Sequence, residues 1–251
     1  MTRTPAPRAS WHVATVIDTR EETPSSRRIT FDVPTWPGND AGSHVDIRLT
    51  APDGYQATRS YSLASSGEGT RVVLAVAEVP GGEVSPFLVQ DLRVGDQAEL
   101  HGPLGAFFVW RPSVEPGRPV QLIGGGSGVV PLIAMAQAHA TAADATPFRL
   151  LYSVRTPDDV FFAGELRDLA AADAATPMEV DYVFTRRAPD HAQRPVGRVT
   201  PELLAELVWP PDVEPRIFVC GPTAYVEAVA HALVAAGHRP ASIRTERFGG
   251  T

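Results

Sequence analysis

The chain has 251 residues, 43% of them apolar and 20% charged, with a formal net charge of −7 at pH 7. That length allows one large domain or two of about 100–150 residues with a full-sized core, and the acidic balance excludes a general affinity for nucleic acid, which needs a basic surface. A single cysteine, Cys220, excludes an internal disulfide and a four-thiolate iron–sulfur cluster.

No run approaches the roughly 18 consecutive apolar residues of a membrane helix, so no membrane association is expected. The opening MTRTPAPRAS has no apolar h-region and reads as a short frayed tail instead of a secretory signal, which makes the cytoplasm the expected location. The seven histidines show no metal-ligand spacing, and no metal site is expected.

Residues 1–110 read as strands: WHVATVIDT (11–19), RRITFDV (27–33), HVDIRLT (44–50), TRSYSLA (58–64), RVVLAVAEV (71–79) and DQAELHG (96–102). Turn signals such as WPGND (36–40) and APDG (51–54) separate them, and six strands at this spacing predict an antiparallel barrel or sandwich. One short helix interrupts them, with Ser85 as its N-cap, Pro86 in the first helical position and FLVQDL after it.

The pattern changes at RPSVEPGRP (111–119), which has the composition of a linker. Beyond it, apolar strands alternate with Ala-rich helices: PVQLIGG before VVPLIAMAQAHA, FRLLYSV before DDVFFAGELRDLAAA, MEVDYVFT before PELLAELV, and RIFVC before TAYVEAVAHALVAAG, with ASIRTERF last. Such alternation predicts a doubly wound five-stranded parallel sheet, which binds ligands at the carboxyl ends of its strands.

Strand PVQLI runs straight into GGGSG (124–128) and then a helix. Glycines there let backbone N–H groups approach a ligand, and the helix dipole aims positive charge at the same place, as a pyrophosphate requires. A strand-to-helix turn without a ligand has the same composition, and Val129 stands where a GxGxxG motif would have its last glycine. The second strand ends in Ser153 and Arg155 with no acidic residue to hold a ribose; the third ends in Thr185, Arg186 and Arg187, and Arg198 follows a short turn. Guanidiniums gathered at this edge suit a dianionic phosphate, which favours NADPH with NADH as the alternative. Ion pairing with Asp158, Asp159 and Asp190 is the competing reading. CGP (220–222) closes the fourth strand, where a buried cysteine is more often inert packing than a reactive thiol.

In the first half, RSYS (59–62) puts an arginine, an aromatic ring and two hydroxyls on one strand, and GGEVS (81–85) forms a glycine turn before the short helix. RSYSLAS, GGEVSPF, GGGSGVVP, CGP and a terminal ERFGG follow one another in this order from residue 59 to 250. That set resembles the ferredoxin–NADP reductase superfamily and, more loosely, the reductase components of bacterial oxygenases.

The resemblance implies an FAD-binding six-stranded barrel over 10–112 and an NAD(P)-binding α/β domain over 117–251. It implies that Arg59 holds the flavin pyrophosphate with Ser60 and Tyr61 beside it, that Ser62 lies near the reactive ring nitrogen, and that Gly82, Val84 and Ser85 make a second pyrophosphate contact. Val76 belongs to the same set, and Phe248 lies where an aromatic often covers the flavin. Gly124, Gly125, Gly126, Ser127 and Gly128 match the nicotinamide-domain loop; Cys220, Gly221 and Pro222 flank the nicotinamide; Glu246 matches a carboxylate near the flavin edge. Arg155, Thr185, Arg186 and Arg198 match the phosphate-reading positions of members that use NADP. Ser62, Cys220 and Glu246 are thus the expected catalytic set, with FAD preferred to FMN. The implied activity passes hydride from NADPH to FAD and then single electrons to a ferredoxin or oxygenase-type iron–sulfur protein. Direct reduction of a quinone, free flavin or ferric chelate, and an electron-transfer subunit without turnover of its own, are the alternatives. Nothing in the sequence demands more than a monomer.

Overall fold

The computed structural model describes residues 9–112, 117–142, 144–171, 178–190, 192 and 194–249. The first eight residues of the expected tail, positions 113–116 of the expected linker, and Gly250 and Thr251 of the terminal motif lie outside the described residues. The chain divides into two compact units, Met1–Val109 and Trp110–Thr251. Among the described residues no helix is long and apolar enough to cross a membrane.

The first unit holds strands β1 (Ser10–Thr23), β2 (Ser26–Asp32), β3 (His44–Thr50), β4 (Gln56–Ser62), β5 (Arg71–Ala77) and β6 (Gln97–Leu104). They pair antiparallel in the order β4-β3-β6-β1-β2-β5. Strand β1 starts at Ser10 and outruns its sequence pattern because register shifts between Val16 and Asp18 and between Glu21 and Thr23 break the alternation. Alternate residues point inward, and Ala14, Ile29, Phe31, Val45, Ile47 and Leu100 are all 0% exposed in one core cluster. The end strands β4 and β5 meet through an isolated bridge, Leu63 to Leu74. The barrel therefore has a seam along β4.

A π-helical turn, Phe87–Asp91, plugs this core with Leu88 and the following Leu92. Arg27 of β2 donates to the carbonyls of Val89 and Leu92 at 3.0 and 2.9 Å, satisfying the open end of the turn. Ser85 does not cap it. Its Oγ accepts the Val79 N–H at 3.0 Å, because the Gly82 N–H bonds the Val79 carbonyl and folds the chain back on itself. The serine closes the glycine turn, and the helical turn has no side-chain cap.

The second unit contains β7 (Val120–Gly125), α1 (Val129–Ala142), β8 (Phe148–Val154), α2 (Ala163–Ala170), β9 (Glu179–Phe184), α3 (Pro201–Leu207), β10 (Arg216–Pro222), α4 (Thr223–Ala235) and β11 (Ile243–Phe248). The strands run parallel in the order β11-β10-β7-β8-β9. Every residue of β7 is buried, as expected of a central parallel strand covered on both faces. Trp110 packs edge-on against His139 and Phe148, with ring centroids 5.8 and 5.2 Å away. His139 stacks on Phe148 and donates from Nε2 to the Thr146 carbonyl at 2.8 Å, and its burial pushes its pKa down. From β7 the chain moves through α1 to β8 on one side, while β10 lies on the other. The topological switch point, where such sheets take ligands, therefore falls between β7 and β10.

Candidate functional site

In the first unit the RSYS motif occupies the seam. Arg59 and Tyr61 pair across β3 with Ile47 and Val45, two core residues, so both belong to the inward-facing set. Tyr61 packs against the core cluster, and burial pushes its phenol up to about 12. Ser60 faces the other way and donates to Asp46 Oδ1 at 2.5 Å, which leaves its backbone as what it can offer a ligand at the seam. Ser62, half-buried, closes the strand.

The Arg59 guanidinium is 53% exposed and bonds Glu83 Oε2 through Nη2 at 2.5 Å. Glu83 Oε1 accepts from the Tyr55 hydroxyl at 2.8 Å. The Tyr55 hydrogen bond, followed by the charge of Arg59, holds the Glu83 carboxyl below its usual range, and the same bond raises Tyr55. RSYS and GGEVS, about two dozen residues apart, thus meet side chain to side chain. A cavity of about 600 Å³ adjoins the pair, with Leu49, Ala57, Ala98 and Phe87 among its lining beside Tyr55 and Glu83.

Two of the expected flavin residues, Val76 and Val84, are each 1% exposed within the barrel core, so their side chains pack the fold and their backbone is what they can offer a ligand. Alternation along β5 turns Val76 inward with Val72 and Leu74. At Gly82 a Cβ would come within 3.0 Å of the Val79 carbonyl and 3.2 Å of Ser85 Oγ, so any larger residue would press on the turn's own atoms.

In the second unit the glycine turn lies at the switch point. A Cβ on Gly125 would sit 2.7 Å from the Tyr225 ring, and one on Gly128 would sit 2.3 Å from the Cys220 carbonyl oxygen. Gly126 takes a φ of +55° with nothing within 4 Å of its missing Cβ, so bare backbone faces open space there. Tyr225 donates to the Gly124 carbonyl at 3.2 Å and thereby ties α4 to the same loop. Cys220 pairs with Gly124 on one side and with Glu246 on the other. It is fully buried, and its thiol is raised well above the usual value, by burial first and by the Glu246 charge second. A neutral thiol follows, not a nucleophile. Phe248 lies opposite Pro222 at the end of β11 and is 40% exposed.

The carboxyl edge gathers the expected arginines. The Arg155 carbonyl accepts the N–H groups of Arg186 and Arg187 at 2.9 and 3.2 Å, and the Thr185 N–H bonds the Val154 carbonyl. Gly197 donates to the Phe184 carbonyl at 2.9 Å and returns the segment carrying Arg198 to the end of β9. Arg187 pairs with Asp158, while Asp159 accepts from Thr156. Arg155, Arg186 and Arg198 are exposed and form no ion pair among the described residues. The competing reading, surface ion pairing, therefore holds for Arg187 and not for the other three.

The comparisons with known proteins follow the same division. Residues 14–109 match the oxidoreductase FAD-binding domain and residues 122–231 the oxidoreductase NAD-binding domain. The chain is 30% identical to the reductase subunit of an aromatic O-demethylase from Amycolatopsis sp., over 94% of its own length and 68% of that protein's. The chain belongs to the ferredoxin–NADP reductase superfamily. It is 33% identical to the toluate 1,2-dioxygenase electron transfer component of Pseudomonas putida, across 82% of this chain and 58% of that one. It spans 56–59% of the length of that protein and two similar curated relatives. Among solved structures, the FAD/NAD-binding domain of a Vibrio cholerae nitric oxide dioxygenase superposes with a TM-score of 0.82 at 25% identity, covering 95% of this chain and 99% of that one. An Amycolatopsis cytochrome P450 reductase superposes with a TM-score of 0.83 at 28% identity, covering 96% and 70%.

Motif reading overlooked Tyr55, the contact made by Glu83, and Tyr225. Glu83 was in plain view inside GGEVS, but no spacing announces a bond reaching back to residue 59. Tyr225 carries no signal beyond its place in the helix after CGP.

Proposed function

We propose that this superfamily member is a flavoprotein reductase that takes hydride from NADPH onto FAD and delivers electrons singly to a ferredoxin or an oxygenase-type iron–sulfur protein. The carrying observation is the sequence of two anion-receptive sites in one chain: the Arg59 seam within an FAD-binding match and the 124–128 turn within an NAD-binding match. The proposal takes 10–112 as the flavin domain and 117–251 as the nicotinamide domain.

The donor sets fit both cofactors. In the first unit Arg59 would clamp the pyrophosphate, assisted by the backbone of Val76, Gly82, Val84 and Ser85; Tyr61 would offer a flat apolar face and Ser62 Oγ a hydrogen bond to the ring. In the second unit, backbone N–H groups of the 124–128 turn and the first turn of α1 would hold the nucleotide pyrophosphate. Arg155, Arg186 and Arg198, with the Thr185 hydroxyl, would read a 2′-phosphate, for which three arginines that form no ion pair among the described residues are the support. Cys220, Gly221 and Pro222 would form an uncharged wall for the nicotinamide, and Glu246 a polar group beside it. Bound flavin supplies the redox chemistry, accepting two electrons together and releasing them one at a time; the protein's part is binding and orientation.

The names of the relatives, an electron transfer component of a dioxygenase and a demethylase reductase subunit, support an oxygenase partner. A monomer in the cytoplasm completes the proposal. The test is a visible spectrum of the purified protein, then anaerobic titration with NADPH and with NADH, then reoxidation by ferredoxin. A flavin spectrum bleached preferentially by NADPH and restored by ferredoxin is expected. A protein that binds no flavin would end this reading; rapid reoxidation by quinone or ferric chelate, with no gain from ferredoxin, would reassign the acceptor.

A further inference from the structure

The Arg59–Glu83–Tyr55 cluster has a feature that the flavin reading does not use. Arg59 is the cation that the reading assigns to the flavin pyrophosphate, yet its guanidinium is already engaged by a carboxylate. That carboxylate belongs to the GGEVS turn, whose backbone is assigned to the same pyrophosphate. Both Glu83 oxygens are in use, Oε2 on Arg59 at 2.5 Å and Oε1 on Tyr55 at 2.8 Å, so Tyr55 holds the carboxylate in the position where it meets Arg59. A second bond from Arg59, Nη1 to the Thr58 carbonyl at 2.8 Å, fixes the guanidinium from its own strand.

We propose that Glu83 is a carboxylate gate on the flavin site: it occupies Arg59 when flavin is absent and must release it before a pyrophosphate binds, which makes the flavin readily exchangeable. The proposal rests on the flavin reading above. Two physical effects give its sign. An exposed ion pair is weak and opens easily, so the gate slows no ligand that brings a stronger anion. After opening, however, the carboxylate remains on the turn whose backbone is assigned to the pyrophosphate, and negative charges gathered on one short segment would repel, because physiological salt screens only beyond roughly 8 Å. Both the lost ion pair and the residual repulsion weaken binding of a phosphate-bearing flavin. Neither acts on a flavin without phosphate.

The experiment measures dissociation constants of flavin-free protein for FAD and for riboflavin, by quenching of flavin fluorescence, in wild type, Glu83→Gln and Tyr55→Phe. Glu83→Gln keeps the size and hydrogen-bonding capacity of the side chain and removes its charge. It is expected to tighten FAD binding about three- to tenfold while leaving riboflavin unchanged. Tyr55→Phe releases the carboxylate from one anchor and is expected to act in the same direction by a smaller factor. Wild-type affinity for FAD in Glu83→Gln, or an equal gain for riboflavin, overturns the gate while leaving the flavin reading intact. Failure of the wild-type protein to bind FAD at all overturns both. Circular dichroism of the variants, with all substitutions at exposed positions, shows that the comparison is between folded proteins.

Discussion

Replacing Gly128 by alanine probes the junction on which the proposed nucleotide site rests. The added Cβ would stand 2.3 Å from the Cys220 carbonyl oxygen, 2.5 Å from its carbonyl carbon and 2.7 Å from Gly221 Cα, all of them backbone atoms. An unstrained contact needs about 3.5 Å, so the 124–128 turn and the 220–222 turn must part by roughly 1 Å. No side chain can rotate away to absorb that shift. Overpacking of this kind costs about 3 kcal/mol at the upper end of its range, and Tm should fall by about 6–12 °C. Gly126→Ala is the internal control. Nothing lies within 4 Å of its Cβ, and its φ of +55° leaves only the left-handed backbone penalty, about 1 kcal/mol or 2–4 °C. Scanning calorimetry gives the two shifts, and titration with NADPH followed by protein fluorescence gives the affinities. A displacement of 1 Å should weaken NADPH at least about tenfold in Gly128→Ala. Wild-type Tm and affinity in Gly128→Ala, or a larger loss in Gly126→Ala, would refute the argument that close approach of the two turns shapes this site.

Other outcomes follow from the same structure. Arg155→Ala and Arg186→Ala should each raise KM for NADPH about tenfold or more, from the loss of a charged contact of about 1.5–3 kcal/mol, and leave KM for NADH nearly unchanged; equal effects on both nucleotides would contradict phosphate reading. Cys220, buried and with its thiol raised by burial, should resist a disulfide reagent at pH 8 in the native protein and react fully in denaturant; rapid native labelling would show the fold to be more open there. His139 has its pKa lowered by burial from an ordinary value of 6.5, so below about 6.5 the unfolded chain binds more protons and stability falls with pH. Buried His238 shifts in the same direction and adds to the effect. His139→Gln can still donate to the Thr146 carbonyl and does not titrate, so its Tm should change less than that of wild type between pH 7.5 and 5.5; parallel curves would assign the pH dependence elsewhere.

Strands are easily read where one face is buried. β3 and β8 begin and end where the apolar pattern places them, and all six barrel strands and five sheet strands are present. Boundaries drift where the pattern breaks, as at the shifts in β1, since an irregularity puts consecutive residues out of step with the pleat. Ser85 before Pro86 has every local mark of a cap, yet the fold-back at Val79 offers its oxygen a nearer donor. Val76 and Val84 entered the expected flavin set through the family resemblance, and a resemblance does not separate a residue that offers its backbone from one that offers its side chain. Glu83 shows the opposite failure: a residue within a recognised motif whose partner lies outside it.

From its sequence alone this chain declares two folding units, the parity of nearly every strand, and the glycine-rich corners proposed as anion sites, because periodicity and backbone freedom are properties of residues close together in the chain. The tertiary structure decides which charges remain available. Arg187 is taken by Asp158 and Arg59 by Glu83, while Arg155, Arg186 and Arg198 make no ion pair among the described residues. The physical reason is range. Coulomb and hydrogen-bond energies depend on separations of a few ångströms in space, and between residues some 24 or 29 positions apart those separations exist only once the sheets have formed.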